Sequence, residues 1–238
     1  NFIDAFTSPV FLGSLGTTLL FVLLTVPTGV ALALVLAILA DRQLRGIRVF
    51  QMIFASPLAI SVSMGATIFS LLYNPLVGLF NMVLKQFGIA PIGWTTDPAW
   101  ALFAVGLCAI WLRVGFNFVT LISGLQNVPK DLHEAAEVDG ASGWHRLRHI
   151  TIPLISPTLF FTLVVGVIHA LQTFGEVEIL TSGGPNRTTN VIVYQIYSTA
   201  FQRFEFGTAS AQSLILFVLM LICTWLQFRV GERSVHYQ

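Results

Sequence analysis

Long apolar stretches alternate with short polar segments along this 238-residue chain. A helix needs about 20 mostly apolar residues to cross the ~30 Å hydrocarbon layer of a bilayer. Five stretches are long enough, namely 11–40, 49–73, 100–124, 154–174 and 208–228. Charged residues make up only 10% of the chain, whereas soluble domains carry about 25%. The pattern therefore predicts an all-α integral membrane protein with five visible spans.

Basic residues are distributed unevenly between the two sides of the predicted membrane. Eight lie on the side of the loop between the third and fourth spans: Arg42, Arg45, Arg48, Lys130, Arg146, Arg148, Arg229 and Arg233. Three lie on the opposite side: Lys85, Arg187 and Arg203. Because short cytoplasmic loops are enriched in Lys and Arg, we expect this loop and the C-terminus in the cytoplasm. Asn1 then lies outside, and one further span ahead of it would give six.

Helical spacing of apolar residues also occurs between the spans. Segments 77–87 and 188–201, on the outer side, are predicted as short helices that either pack on the bundle or contact an external protein. In residues 126–153, which we call the motif loop, Pro129 suits a helix start and Gly140 a left-handed turn. Ser142 could cap a second helix. The motif loop is therefore predicted as two short helices, with Pro153 starting the next span.

The motif loop also contains a spaced sequence motif. Glu134-Ala135-Ala136 is followed after three residues by Gly140, and nine residues later by Ile150-Thr151-Ile152-Pro153. This spacing resembles the cytoplasmic loop of binding-protein-dependent ABC importer permeases, with Ile152 where that family has Leu. The resemblance implies that residues 1–238 form a single type I ABC importer transmembrane domain. Within that domain, residues 126–153 would be the loop that couples it to an ATPase.

The same resemblance implies a role for the loop residues and a set of partners. In that family the loop helix docks in a cleft of a nucleotide-binding subunit. Coupling to the ATPase would thus fall on five residues: Glu134, Ala135, Ala136, Asp139 and Gly140. The implied partners are two copies of the ATPase, a second homologous permease and an extracytoplasmic substrate-binding protein, in a bacterial cell membrane. Nucleic acid is not among them.

No cofactor is expected in this chain itself. Its sequence has no Gly-x-x-x-x-Gly-Lys-Ser/Thr phosphate loop, so ATP and Mg would be bound by the partner subunits. His133, His145 and His149 are expected to be interfacial or exposed, because no Cys pair or carboxylate cluster accompanies them as metal ligands. No catalytic Ser/His/Asp arrangement or metal site is predicted, so a transport subunit is favoured over an enzyme.

Other segments resemble the carbohydrate-uptake branch of the family. They are Asn1-Phe2, Thr181-Ser182-Gly183-Gly184-Pro185, 194–201 and 206–211. Residues 111–118, 170–185 and 228–238 resemble the first permease of glycerol-3-phosphate importers. This implies inward transport of glycerol-3-phosphate or glycerophosphodiesters, and a neutral disaccharide such as trehalose or maltose is the alternative. An ion-coupled secondary transporter is disfavoured, since the predicted span cores contain no Asp or Glu.

A few polar residues within the spans are candidates for lining a substrate path, because charge at membrane depth is costly. Arg113 could bind a phosphate, or instead a carbonyl or carboxylate between helices. Asn117 follows it by one helical turn. His169, Gln172, Thr173 and Glu176 are predicted to share one helix face, which with Phe174 would suit a hydroxylated ligand. Glu176 could instead gate the path or pair with a basic residue of the second permease.

Overall fold

The computed structural model describes residues 2–41 and 46–231. The expectations for Asn1, Arg42, Arg45, Arg233 and the end of the chain lie outside the described residues, as does the side chain of Lys130. Within the described ranges the regular structure is helical: α1 Phe2–Thr7, α2 Pro9–Ala40, α3 Ile47–Ala55, α4 Val62–Leu72, α5 Leu79–Gln86, α6 Pro98–Gln126, α7 Lys130–Val138, α8 Gly143–Arg146, α9 Ile152–Leu154, α10 Ser156–Leu171, α11 Gly175–Leu180, α12 Ile192–Tyr197 and α13 Phe206–Gly231. Tighter or wider helical turns cover Ser56–Ala59, Leu147–Thr151 and Ser198–Gln202.

The described helices provide up to five membrane crossings by length and composition. Helices α2, α6 and α13 are each long enough alone. The second span is a broken pair, in which Ile47–Ala59 meets α4 at 104°. The fourth is also broken, since Gly143–Leu154 meets α10 at 67°. The number of spans agrees with the sequence, but two of the five are not continuous helices.

Proline position explains part of these breaks. Pro57 lies in the short turn Ser56–Ala59, where its missing N–H cannot support a continuing helix. The long helix α10 of the fourth span begins at Ser156, with Pro157 in its first turn, whereas Pro153, the expected start, lies in the short helix α9. Pro27, by contrast, lies inside the uninterrupted helix α2.

Helices α2 and α6 form the centre of the bundle, and α10 packs against both. Side chains such as Ala33, Val105 and Leu121 have no or almost no exposed surface there. At Gly115, an added Cβ would lie 2.8 Å from the backbone nitrogen of Leu58. Helix α6 therefore presses its backbone directly onto the break in the second span.

Both helices predicted on the outer side are present. The first is α5, inside segment 77–87, where Asn81 accepts hydrogen bonds from Ile92 N (3.1 Å) and Trp94 Nε1 (3.0 Å). The second is α12 with its continuation to Gln202, and it is mostly buried rather than lying on the surface. The N–H of Ile192 donates to Thr18 Oγ1 of α2 at 2.8 Å. Segment 188–201 is thus packed into the bundle against α2.

Candidate functional site

The motif loop forms the two short helices expected from its sequence. Helix α7 begins after Pro129, and Gly140 turns the chain with a φ of +77°. Ser142 caps α8 by accepting a hydrogen bond from His145 N at 3.3 Å. The two helices are tied together by an ion pair of 2.7 Å between Arg146 and Glu137.

The loop helices present polar and apolar side chains to their surroundings. Glu134, Ala135, Asp139 and Gly140 are exposed, and Ala136 is half-buried. Large apolar side chains lie beside them, with Val138 88% and Trp144 69% exposed. An exposed apolar patch with a polar rim is typical of a protein contact surface.

The loop histidines do not form a metal cluster within the described residues. The His145 and His149 rings stack with centroids 4.1 Å apart. His133 lines a pocket beside Glu134, Arg48 and Gln51, between the motif loop and the adjoining ends of the spans. This placement agrees with interfacial or exposed histidines.

The residues predicted to line a substrate path meet around two adjoining pockets. A narrow cavity of about 40 Å³ lies between α2, α6 and α10, and a wider outer pocket of about 520 Å³ opens next to it. Arg113, His169, Thr173 and Glu176 line both. The narrow cavity adds Asn117, and the outer pocket adds Gln172 and Phe174. All seven predicted residues thus surround one connected region, although their role in transport stays a prediction.

The reason for this convergence differs from the predicted one. The expectation that His169, Gln172, Thr173 and Glu176 share one face of a continuous helix is wrong, because α10 ends at Leu171 and α11 begins at Gly175. Helix α11 packs against α4. A Cβ at Gly175 would lie only 2.8 Å from Val62 Cγ1. The break and this close approach turn Glu176 back towards α6.

The charged groups of the region face each other without a direct ion pair. Glu176 is 6% exposed and accepts a hydrogen bond from Thr173 Oγ1 at 3.3 Å. Arg113 is half-buried. Among the described residues, no acidic side chain lies within the 4.0 Å ion-pair distance of its guanidinium. The Arg113 guanidinium thus lines both pockets without an ion-pair partner among the described residues.

Sequence reasoning missed Glu178, which also lines the outer pocket. Its Oε2 atom is buried and has no hydrogen-bond partner among the described residues. Burial raises the pKa of the neighbouring Tyr194, and the Glu178 carboxylate acts in the same direction. The cue in the sequence is a second carboxylate two residues after Glu176, just beyond a long apolar run.

Up to five apolar crossings surround a pocket lined by charged side chains, and an exposed helical loop lies between the third and fourth; together these define a membrane transport permease. The chain belongs to the family of binding-protein-dependent transport system inner membrane components, whose pattern matches residues 5–235. It is therefore a multi-pass permease subunit of a binding-protein-dependent ABC importer.

Similar proteins support this assignment over the full chain. The sn-glycerol-3-phosphate transport system permease protein UgpA of Brucella abortus biovar 1 (strain 9-941) is 37% identical over 240 residues, which cover 100% of this chain and 81% of that protein. The protein of the same name from Yersinia enterocolitica serotype O:8 / biotype 1B (strain NCTC 13174 / 8081) is 36% identical over 241 residues, with the same coverage of both chains. Both are named as transport permeases, which agrees with a transport subunit rather than an enzyme.

Solved structures show the same fold. A bacterial ABC transporter involved in the import of the acidic polysaccharide alginate matches with a TM-score of 0.90 and 24% identity, covering 99% of this chain and 83% of that one. A second structure is the alginate ABC transporter in complex with an alginate pentasaccharide-bound periplasmic protein. It matches with a TM-score of 0.89 and 25% identity over 98% of this chain and 82% of that one. The fold is thus that of an ABC importer transmembrane domain.

Proposed function

We propose that this permease moves glycerol-3-phosphate or glycerophosphodiesters into the cell. The names of the relatives support a glycerol-3-phosphate system. The observation that carries the proposal is Arg113, which lines both pockets without an ion-pair partner among the described residues. A guanidinium binds phosphate oxygens with two parallel charge-assisted hydrogen bonds, so it suits this class of ligand.

The charge balance around Arg113 favours the diester over the monoester. Glu176 and Glu178 line the outer pocket together with Arg113. A phosphate monoester carries about 1.5 to 2 negative charges at pH 7, whereas a phosphodiester carries only one. Because like charges in a weakly screened pocket repel, two carboxylates beside one guanidinium disfavour the more highly charged ligand. Glycerophosphodiesters are therefore the preferred class within the proposal.

Transport requires the helices around the narrow cavity to separate. The cavity has a volume of about 40 Å³, which is room for only a few water molecules. A glycerol phosphate needs more space, so passage from the outer pocket requires α10 to move relative to α2 and α6. This requirement supports alternating access, in which the two sides of the bundle open in turn.

The motif loop would provide the energy input for this movement. In the proposal, residues 126–153 dock on one of two ATPase subunits, which bind ATP and Mg. Leu132 and Val138 would fill an apolar cleft, Glu134 would meet a basic group, and Ala135 and Ala136 would let the backbones approach closely. Asp139 and Gly140 would shape the turn. Exposure of this patch supports the assignment.

The assignment to the ABC importer permeases also supports the remaining partners. A second homologous permease would complete the bundle, and an extracytoplasmic binding protein would deliver substrate to the outer side. The motif loop and the C-terminus would lie in the cytoplasm of a bacterium, as the distribution of basic residues indicates. Residues 1–238 would then form one transmembrane domain.

A neutral disaccharide is the second candidate substrate. The Gln172 amide could donate a hydrogen bond to a sugar hydroxyl, and the carboxylates of Glu176 and Glu178 could accept hydrogen bonds from others. The Phe174 ring could pack on the carbon skeleton. In this case Arg113 would stabilise the helix packing by interacting with the carboxylates rather than with substrate.

The test is the ATPase activity of the purified assembly with its binding protein. It would be measured with glycerol-3-phosphate, glycerophosphoethanolamine, trehalose and maltose. We expect stimulation by the two phosphorylated compounds and more by the diester. Stimulation by a sugar alone would contradict the substrate proposal while leaving the importer class intact.

A further inference from the structure

Four aromatic rings form a continuous row from the outer pocket towards the outer end of α13. We call Phe174, Tyr197, Phe201 and Phe206 the outer aromatic row. Ring centroids are 5.0 Å apart between Phe174 and Tyr197, and 5.5 Å between Tyr197 and Phe201. The last step, from Phe201 to Phe206, is 6.2 Å. These distances are those of rings in mutual contact.

The row changes from buried to exposed along its length. Phe174 lines the outer pocket beside Arg113 and is half-buried, as is Tyr197. Phe201 is 61% and Phe206 55% exposed. The two outermost rings are thus accessible at the surface of this chain, while the two inner rings are partly covered. The row therefore connects the surface with the pocket that holds the charged groups.

Helix geometry fixes the direction of the row. Tyr197 and Phe201 are four residues apart, so they share one face of α12 and its continuation Ser198–Gln202. Phe174 lies at the break between α10 and α11, and Phe206 starts α13. The row thus joins three separately packed elements.

Ring faces and unpaired polar groups together suit a particular ligand chemistry. Aromatic faces pack against the C–H groups of sugars and polyols, and the hydroxyls remain free to bond elsewhere. At the inner end, Glu178 offers a buried oxygen without a partner among the described residues. Arg113 lies in the same pocket. A hydroxylated anion that moves along the rings would reach the Glu178 carboxylate, a hydrogen-bond acceptor, and the Arg113 cation in the same pocket.

We propose that the outer aromatic row is a binding track that guides hydroxylated substrates from the outer surface to the outer pocket. The track acts after the binding protein has released the substrate and before the narrow cavity opens. The substrate class of the track rests on the proposed function. The contact between C–H groups and aromatic rings is the same for a polyol phosphate and for a disaccharide, so the track could guide either.

The test uses the complete transporter, reconstituted in liposomes with saturating binding protein. Import of glycerol-3-phosphate, glycerophosphoethanolamine and trehalose is measured beside ATP hydrolysis. For a compound that the wild type imports, we expect Tyr197→Ala and Phe201→Ala each to lower the import rate about two- to tenfold, as loss of a ring contact implies. ATP hydrolysis should be kept, so less substrate is moved per ATP. Tyr197→Phe retains the ring and should behave as wild type.

Phe204 provides the matched control. It lies three residues after Phe201 and is 73% exposed, but it is not part of the row. Phe204→Ala should therefore import normally. An equal loss in the control, or unchanged import in both row variants, would overturn the track. A loss that additional binding protein restores would identify Phe201 as a docking residue and would also overturn it.

A second measurement does not depend on transport rate. Phe201→Cys should react with a membrane-impermeant thiol reagent from outside, and a transported compound should slow the reaction. A labelling rate that substrate does not change would contradict the track. Labelling by membrane-soluble reagents alone would contradict it as well, because residue 201 would then face lipid. A wild type that imports none of the three compounds would refute the proposed function and, with it, the substrate class of the track.

Discussion

Arg113 is the one Lys, Arg, Asp or Glu within the five apolar stretches of the sequence. In the folded chain it stands at the wall shared by the narrow cavity and the outer pocket. Because burying a cation at membrane depth is costly, an arginine within a span usually has a functional role. In our proposal Arg113 binds phosphate because it lines both pockets and has no ion-pair partner among the described residues, and not merely because it lies in a span.

Replacing Arg113 tests whether this residue binds phosphate or only stabilises the packing of the helices. We expect Arg113→Ala to reduce import of phosphorylated substrates about 10- to 100-fold, the value of one hydrogen-bonded charge pair. Arg113→Lys should recover part of this loss, because the charge remains while the paired N–H groups are absent. Import by liposomes and the amount of protein in the membrane are the measurements. Normal import of phosphorylated substrate by Arg113→Ala would remove this residue from the site.

Glu178 shows why part of the site could not be predicted. On one continuous helix, residues two apart point roughly 200° away from each other, so Glu176 and Glu178 should not face one pocket. Both residues do lie in the one helix α11, and both border the outer pocket because the break before Gly175 and its contact with Val62 place the whole of α11 alongside that pocket. Such contacts between distant parts of the chain leave no trace in local spacing.

At the scale of elements, the spans could be predicted from their length and the motif loop from its turn residues. Pro129, Gly140 and Ser142 act locally, and each lies where its conformational preference requires. The two broken spans could not be predicted in the same way. Pro27 and Pro57 look alike in the sequence, yet only the turn at Pro57 has the backbone of α6 pressed against it near Gly115.

The turn of the motif loop offers a test of its proposed coupling role. Gly140 has a φ of +77°, which costs a residue with a side chain about 1–2 kcal/mol. We expect Gly140→Val to abolish uptake while the protein remains in the membrane, because the two loop helices can no longer dock together. Glu134→Lys should have the same effect by reversing a charge at the ATPase. Uptake in whole cells and immunoblots of membranes are the measurements.

Gly143 provides the matched control for this experiment. It lies in α8, and a Cβ added there meets no atom within 4 Å. Gly143→Val should therefore keep most of the uptake. Normal uptake in both Gly140→Val and Glu134→Lys would contradict the coupling assignment.

At the scale of the whole molecule, the orientation in the membrane can be tested through two exposed positions. Trp144 lies in the motif loop and is 69% exposed, and Asn186 is exposed between α11 and α12. In intact cells, an impermeant thiol reagent should label Asn186→Cys, whereas Trp144→Cys should be labelled only after permeabilisation. The native cysteines provide little background, since Cys108 is buried and Cys223 half-buried. The opposite labelling pattern would contradict a cytoplasmic motif loop.

The narrow cavity between α2, α6 and α10 has a consequence for the energy supply of the cell. A space of about 40 Å³ holds too few waters for a continuous column across the bilayer. Because Arg113 and Glu176 both line it, the barrier to ions is the small size of this space and not a net charge. In this closed state the space within this subunit therefore conducts few ions and dissipates little of the membrane potential. Many copies can stay in the membrane at almost no cost to the proton gradient while the cell waits for its nutrient.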